Sequence, residues 1–407
     1  MKEQTMSTIQ YDMLYLLSCG VNKTKPQQNI LEQYKSDDRK LMQLYRFSKQ
    51  HFVDALTGTV LKQAGVPLPD PWEKDMAKAV RKVILFDAER ARILSFMEQK
   101  GIWYLPLKGI ILKKFYPSVG IRQMSDNDIL FDEAFAEQVR EYMVSLGYEV
   151  ISFGEGNHDV YEKEPVYNFE LHRALYGAAH DNNWEQYYRD VKERLIREEG
   201  SSYGYHMKPE DFYIYIMCHG YKHYQGGGTG IRTLLDFYVY LESLHSEMDF
   251  AYIEKECETL GLSEFEKRNR ALCRKVFGDN AFAELPAEER VPDTAAHTTK
   301  EIITKALSQE ELDMLQYYMT SGVYGTFDRR IENNVKKYSK NGGSSKLRYV
   351  IKRIFPGMET YQYYPFFYKH KWLLPVCWLY RLLRVVFQRE RRERILREAD
   401  AVRKVKV

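Results

Sequence analysis

Apolar residues recur at helical spacing through roughly the first hundred positions. Leu14, Leu16 and Leu17 form one apolar patch, and Leu41, Leu44, Phe47 and Phe52 follow near the helical period. From Trp72 to Lys100 the pattern predicts one long helix, with Met76, Val80, Val83, Ile84, Ala88 and Ala91 on its apolar side. Pro67, Pro69 and Pro71 separate two of these helices, because proline cannot continue one. At Gly101 the period changes. Ile102 to Leu107 is short, apolar and β-prone, and reads as a buried strand. Lys108 and Gly109 follow, then a helical stretch from Ile110 to Phe115 and a loop through Pro117, Ser118 and Gly120. Ile129, Leu130 and Phe131 form the heart of a second strand, and Glu133 to Leu146 reads as a helix. Three further strands are expected at Tyr148 to Phe153, His158 to Glu162 and Val166 to Leu171. The order β-α-β-α-β-β-β describes a compact mixed unit.

From Pro209 the helical period returns. Pro209 suits a first helical position, and Glu210 and Asp211 suit its positive end. Gly226 to Gly230, interrupted only by Thr229, is a break between two helices, and residues 339–345 read as a linker. The expected class is therefore α+β: a small mixed sheet with flanking helices, embedded between N-terminal and C-terminal helical regions. The expected boundaries are 1–100 for an N-terminal helical region, 101–180 for the α/β core, 181–338 for a helical domain completing a cleft, and 339–407 for a linker and an aromatic, basic tail.

Composition narrows the function classes. The chain has 407 residues and 44% hydrophobic content, so more than one domain is expected. Its 60 basic and 57 acidic residues nearly balance, so overall charge gives no sign of a nucleic-acid partner. Cys19, Cys218, Cys257, Cys273 and Cys377 are widely spaced and form no CxxC pair, which argues against a zinc module or a disulfide framework. Reduced cysteines and a polar start without a signal-like segment predict a cytoplasmic protein. The longest apolar run, Trp372 to Tyr380, falls well short of the roughly 20 residues of a spanning helix.

The chemistry concentrates in Ser125-Asp126-Asn127-Asp128-Ile129-Leu130-Phe131. Residues two apart on a strand face the same way, so Asp126 and Asp128 point together. Two carboxylates this close call for a cation, and Mg²⁺ suits all-oxygen ligands when phosphates complete its shell. A solvated strand end is the plainer alternative. Glu170 stands among apolar neighbours on the last expected strand, and a buried acid needs a partner. A shared metal would serve, as would a salt bridge to Arg122 or Arg173. Lys108 and Gly109 lie where a strand turns into a helix, a place where backbone N–H groups and a missing side chain suit phosphate.

Leu105-Pro106-Leu107-Lys108-Gly109, then Tyr116-Pro117, then Gly120 to Leu130 with its Arg122-x-x-Ser125-Asp126-x-Asp128 step, resembles the uncharacterised bacterial nucleotidyltransferase family of the DNA polymerase beta-like superfamily. Glu170-Leu171-His172 resembles that family's later acid step, and Cys218 to His223 with Arg232-Thr233-Leu234-Leu235-Asp236 resembles its helical region. The resemblance covers residues 80–240 best. It implies transfer of a nucleoside monophosphate from an NTP such as ATP to an acceptor, with pyrophosphate released. It further implies Mg²⁺ or Mn²⁺ held by Asp126, Asp128 and Glu170. Two departures stand out. Ile110 follows Gly109 where the superfamily carries a serine or glycine, and the third acid is Glu170 where aspartate is common.

On the helical side His219, Lys222 and His223 share a face, and Arg232 and Asp236 are four apart. One reading makes them a second wall of the cleft, with Lys222 and Arg232 on phosphates and His219 or His223 on base, sugar or acceptor. The other makes them a helix pair closed by an Arg232–Asp236 ion pair. A zinc-protease motif is excluded, since Gly220 stands where the catalytic glutamate belongs. Lys108, Gly109 and Arg122 complete the expected nucleotide contacts. The acceptor is left open between small molecule and protein. The tail suits either packing on the body or weak contact with an anionic membrane surface. The alternative in another class is a nucleotide-binding or scaffold protein that keeps this fold without turnover.

Overall fold

The computed structural model describes residues 6–177, 182–279, 281–282, 298–322, 325–338, 345–355, 370–387 and 389–405. Of the expected linker, only Ser345 lies inside these residues. The chain divides into two compact units: Thr5–Tyr221 with Gly230–Val323, and Lys222–Thr229 with Tyr324–Val407.

The larger unit opens with α1 (Thr8–Asn22), α2 (Gln28–Ser36), α3 (Asp38–Gln50), α4 (Asp54–Gln63) and α5 (Asp70–Lys100). Leu14, Leu16 and Leu17 are fully buried, and Asp12 beside them accepts hydrogen bonds from Tyr34 and Thr299. The long helix α5 forms as its period predicts, but of the expected apolar face only Val83 is buried, with Met76 half-buried. Trp72, Ala79, Val83, Phe86, Ile93 and Met97 are buried, while Ile84 is 55% exposed and Val80 38%. The helix carries two apolar stripes, and docking against the sheet selects the one with the aromatic side chains.

The sheet follows: β1 (Tyr104–Pro106), α6 (Gly109–Leu112), β2 (Asn127–Phe131), α7 (Ala136–Ser145), β3 (Glu149–Ser152), β4 (His158–Lys163) and β5 (Tyr167–His172). The five strands lie in the order β1-β2-β5-β4-β3. Only the β2–β5 pair is parallel, so the sheet is mixed. Ile129, Phe131, Phe169 and Leu171 turn to one face, where Val83, Phe86, Ile93 and Met97 of α5 and Val139 and Met143 of α7 cover them. That packing is the core, and it leaves the opposite face for polar side chains at the alternate positions.

Next come α8 (Asn182–Tyr188), a small hairpin of β6 (Ile196–Arg197) and β7 (Tyr205–His206), then α9 (Pro209–Gly226) and α10 (Ile231–Leu244). The glycine break falls between α9 and α10 as expected. Helices α11 (Phe250–Thr259), α12 (Ser263–Phe277), α13 (Thr299–Ala306) and α14 (Gln309–Ser321) complete the unit. The smaller unit contains α15 (Phe327–Lys337), α16 (Ser345–Ile354), α17 (Leu374–Phe387) and α18 (Arg389–Lys404). Ile331, Val335, Tyr349, Ala401 and Val402 form its core, and Glu398 accepts from both Tyr349 and Arg353. The architecture is α+β, a mixed sheet with flanking helices between helical regions. Among the described residues, no helix is long and apolar enough to cross a membrane.

Candidate active site

Strand β2 is buried along its whole length. Its odd positions feed the core, so Asp128 is forced onto the other face, with 1% of its surface exposed. Asp126 stands just before the strand with the same parity. Strand β5 pairs with β2 so that Glu170 is the register partner of Asp128. Two acids are thus set side by side on neighbouring strands. His172, two residues on, shares the face of Glu170, and His158 of β4 is the register partner of His172.

The Lys108 side chain reaches into this face from the β1–α6 turn. Its ammonium donates to Asp128 Oδ1 and stands 3.8 Å from Glu170 Oε2. His172 Nε2 lies 2.9 Å from the same Asp128 oxygen and 3.7 Å from Glu170 Oε2, while His158 Nε2 lies 3.9 Å from Glu170. Lys108 holds a positive φ of 45°, an uncommon conformation for a residue with a Cβ. The turn therefore spends backbone strain at the point where the lysine meets the acids.

The electrostatics follow from burial and proximity. Burial and the charge of Asp128 push the Glu170 carboxyl up to about 8, against the pull of Lys108. Burial and Asp128 raise Asp126 as well. Asp128 goes the other way: burial opposes ionisation, but Lys108 and His172 hold it well below the usual carboxylate range. Lys108 loses solvation yet is raised overall by Asp128, Tyr215, Glu170 and Asp126. Asp128 is buried and Asp126 and Glu170 are half-buried, and Lys108 pairs with Asp128 and Glu170, so repulsion among the three acids is only partly offset. An all-oxygen donor set of this kind is the type a hard divalent cation takes.

Arg122 and Arg232 lie at the edge of this region. Arg122 grips Asp236 through both oxygens, at 2.8 and 2.9 Å, and Tyr116 donates to Asp236 at 2.8 Å. Asp236 thus pairs with Arg122, not with Arg232 four residues earlier. Arg232 instead donates to the Gln123 carbonyl at 3.1 Å and stacks over Phe52. Its charge is felt at Asp126. Glu170 is not bridged by Arg122, nor by Arg173, which stands 3.5 Å from Asp159 and 3.6 Å from Glu133. Gly109 is buried, and a Cβ there would lie 2.6 Å from Arg122 Nη1. The room left by the missing side chain is filled by that guanidinium. Ile110 is buried in the core cluster, so its side chain faces away from the acids.

On α9, His219 is half-buried one turn beyond Tyr215, whose ring oxygen senses Lys108 and the acids. Lys222 and His223 are exposed and belong to the smaller unit. Beside the Gln123 segment lies a cavity of about 240 Å³, lined by Phe52, Asp54, Asp75, Lys82, Gln123 and Met124 among others. Lys82 donates to the Ser125 carbonyl, next to Asp126. Asp54 is 1% exposed. Gln123 approaches it, yet neither carboxylate oxygen meets a donor at hydrogen-bonding geometry.

Sequence reasoning left out His158, Tyr215 and the Lys82–Asp54 cavity, and gave His172 no role. His172 had a signal, its i+2 spacing from Glu170. His158 had none, since its place opposite His172 depends on which strands pair.

Acids in register on parallel central strands, a lysine delivered from the strand-to-helix turn, and helices behind the sheet define a nucleotidyltransferase-type fold. The model of an uncharacterised nucleotidyltransferase family matches residues 37–278, more than half of the chain, and the protein belongs to that family. The matched span includes the whole sheet and every residue of the acidic face. No curated protein and no solved structure matches the chain.

Proposed function

We propose that the protein moves a nucleoside monophosphate from an NTP to a hydroxyl-bearing acceptor and releases pyrophosphate. The carrying observation is the register of Asp128 with Glu170 beside the Lys108 ammonium. In this reading Asp126, Asp128 and Glu170 hold Mg²⁺ or Mn²⁺. Such a metal, when bound, neutralises phosphate charge and favours the ionised form of its carboxylates. The acceptor oxygen forms a bond to the α-phosphorus as the bond to pyrophosphate breaks, and Glu170 takes the hydroxyl proton. Lys108 and Arg232 supply positive charge to the phosphates, while Arg122, paired with Asp236, holds the loop before Asp126, with Gly109 shaping the turn. His219 belongs to the proposed nucleotide contacts on the helical side. The cavity next to Asp126 is the proposed entry side of a small acceptor.

Five free, buried cysteines support a cytoplasmic setting. Exposed Trp372, Val376 and Leu379 on the basic tail support weak contact with an anionic membrane surface.

Incubation with Mg²⁺, ATP and candidate acceptors should release pyrophosphate. Replacing Asp126 and Asp128 together by Asn should abolish Mg–ATP binding in calorimetry and lower turnover by orders of magnitude. Unchanged Mg–ATP affinity in that variant would place the site elsewhere. A second reading, nucleotide binding without turnover, draws on Ile110, which removes a hydroxyl from the turn. Tight Mg–ATP binding with no pyrophosphate from any acceptor would favour it.

A further inference from the structure

His158, Glu170 and His172 stand closer together than the plain three-acid reading requires. One ligand atom from each lies within 4.8 Å of the others. Cross-strand pairing of β4 with β5 sets them: His158 is opposite His172, and Glu170 precedes His172 by two on the same face. A hydrogen-bonded pair of strands is a rigid frame that sets the three groups on one face, and a metal on His172 Nε2 would replace that nitrogen's 2.9 Å contact with Asp128. His172 is buried and the other two are half-buried, which keeps a path from solvent.

The ligand types differ from those at Asp126 and Asp128. Mg²⁺ takes oxygen ligands, whereas imidazole suits Zn²⁺, Fe²⁺, Co²⁺ and Ni²⁺. Two imidazoles with one carboxylate is a donor set for such borderline ions. Glu170 has two oxygens, so its carboxylate can face this set and the aspartates together. We propose that His158, Glu170 and His172 form a second cation site that takes a divalent transition metal in preference to Mg²⁺. The proposal rests on Glu170 belonging to the active face, as in the function proposed above. Its role is to fix Glu170 beside Asp128 with two nitrogen ligands.

The test is a titration of the full chain, free of any polyhistidine tag and of nucleotide, with Co²⁺. One equivalent should give the visible absorption of nitrogen-ligated cobalt, and about a hundredfold excess of Mg²⁺ should not displace it. His158→Gln should weaken Co²⁺ binding about tenfold or more. His172→Gln should do the same. Because His172 is buried against Asp128, the half-buried His158 keeps the test decisive if the His172 variant fails to fold. Asp126→Asn should leave the cobalt spectrum in place. A spectrum of oxygen ligands alone, ready displacement by Mg²⁺, or unchanged affinity in His158→Gln overturns the second site. Those results leave Mg–ATP binding untouched, whereas failure of the nucleotidyltransferase reading appears as Mg–ATP affinity indifferent to Asp126 and Asp128.

Discussion

Arg122 and Asp236 meet through two parallel hydrogen bonds, although 114 residues separate them in the chain. Both are nearly buried, and Tyr116 adds a third bond to the same carboxylate. The pair ties the loop before Asp126 to helix α10, and so fixes the approach to the acidic face. Removing one partner of such a pair strands the other charge. Asp236→Ala should therefore lower unfolding stability by about 3 to 5 kcal/mol. Urea denaturation followed by circular dichroism measures this. A loss below about 1 kcal/mol would mean that the pair adds no more than an exposed ion pair does.

Gly109 gives a second prediction from the same guanidinium. A Cβ would stand 2.6 Å from Arg122 Nη1 and 3.0 Å from Met124 Sδ. Arg122 cannot step aside without leaving Asp236. Gly109→Ala should cost about 1 to 3 kcal/mol through overpacking. The combination with Asp236→Ala should cost less than the sum of the two, because Arg122 is then released to move. Strict additivity in the double variant would dissociate Gly109 from the ion pair.

Arg232 tests the proposed charge balance. It is held by the Gln123 carbonyl and the Phe52 ring, and its charge reaches Asp126. Arg232→Ala should raise KM for ATP about tenfold or more while far-UV circular dichroism stays unchanged, since a fork-shaped cation suits phosphate oxygens. Arg232→Lys should recover part of the loss. A normal KM in the alanine variant would reduce Arg232 to a clamp on the Gln123 backbone.

His51 predicts a pH dependence of stability outside the acidic face. It is 1% exposed, its Nδ1 accepts from the Ile231 N–H at 3.3 Å, and its ring also meets the Met319 backbone. Burial pushes its pKa down to about 4, against the Met319 contact. An unfolded histidine titrates near 6.5, so between those values the unfolded chain holds the extra proton. Stability is complete above about pH 6.5, falls as the pH drops through the window, and levels off below about 4, a total of roughly 3 kcal/mol. Thermal melts of the wild type and His51→Gln across this range check it. An equal slope in both proteins would assign the dependence to other groups.

Local periodicity carried much of the architecture. The switch from helical spacing to short β-prone runs at Gly101 foretold the strands that form, because pleat and helix repeat over a few residues and need no distant partner. The i, i+2 parity of Asp126 and Asp128 is likewise local. The α5 face was misread for a related reason: two apolar stripes satisfy the same period, and only packing chooses between them.

Strand order is a different kind of fact. It places β5 next to β2 and β4 beyond it, and no spacing along the chain encodes that choice. It alone brings Glu170 opposite Asp128 and His158 opposite His172. The same holds for Asp236, which lies one helical turn from Arg232 yet bonds Arg122. The sequence by itself determined which residues are acids on strands and which faces they take, since backbone geometry sets parity. The tertiary structure alone decided which of them meet, since that depends on non-local pairing and on the burial that makes partners necessary.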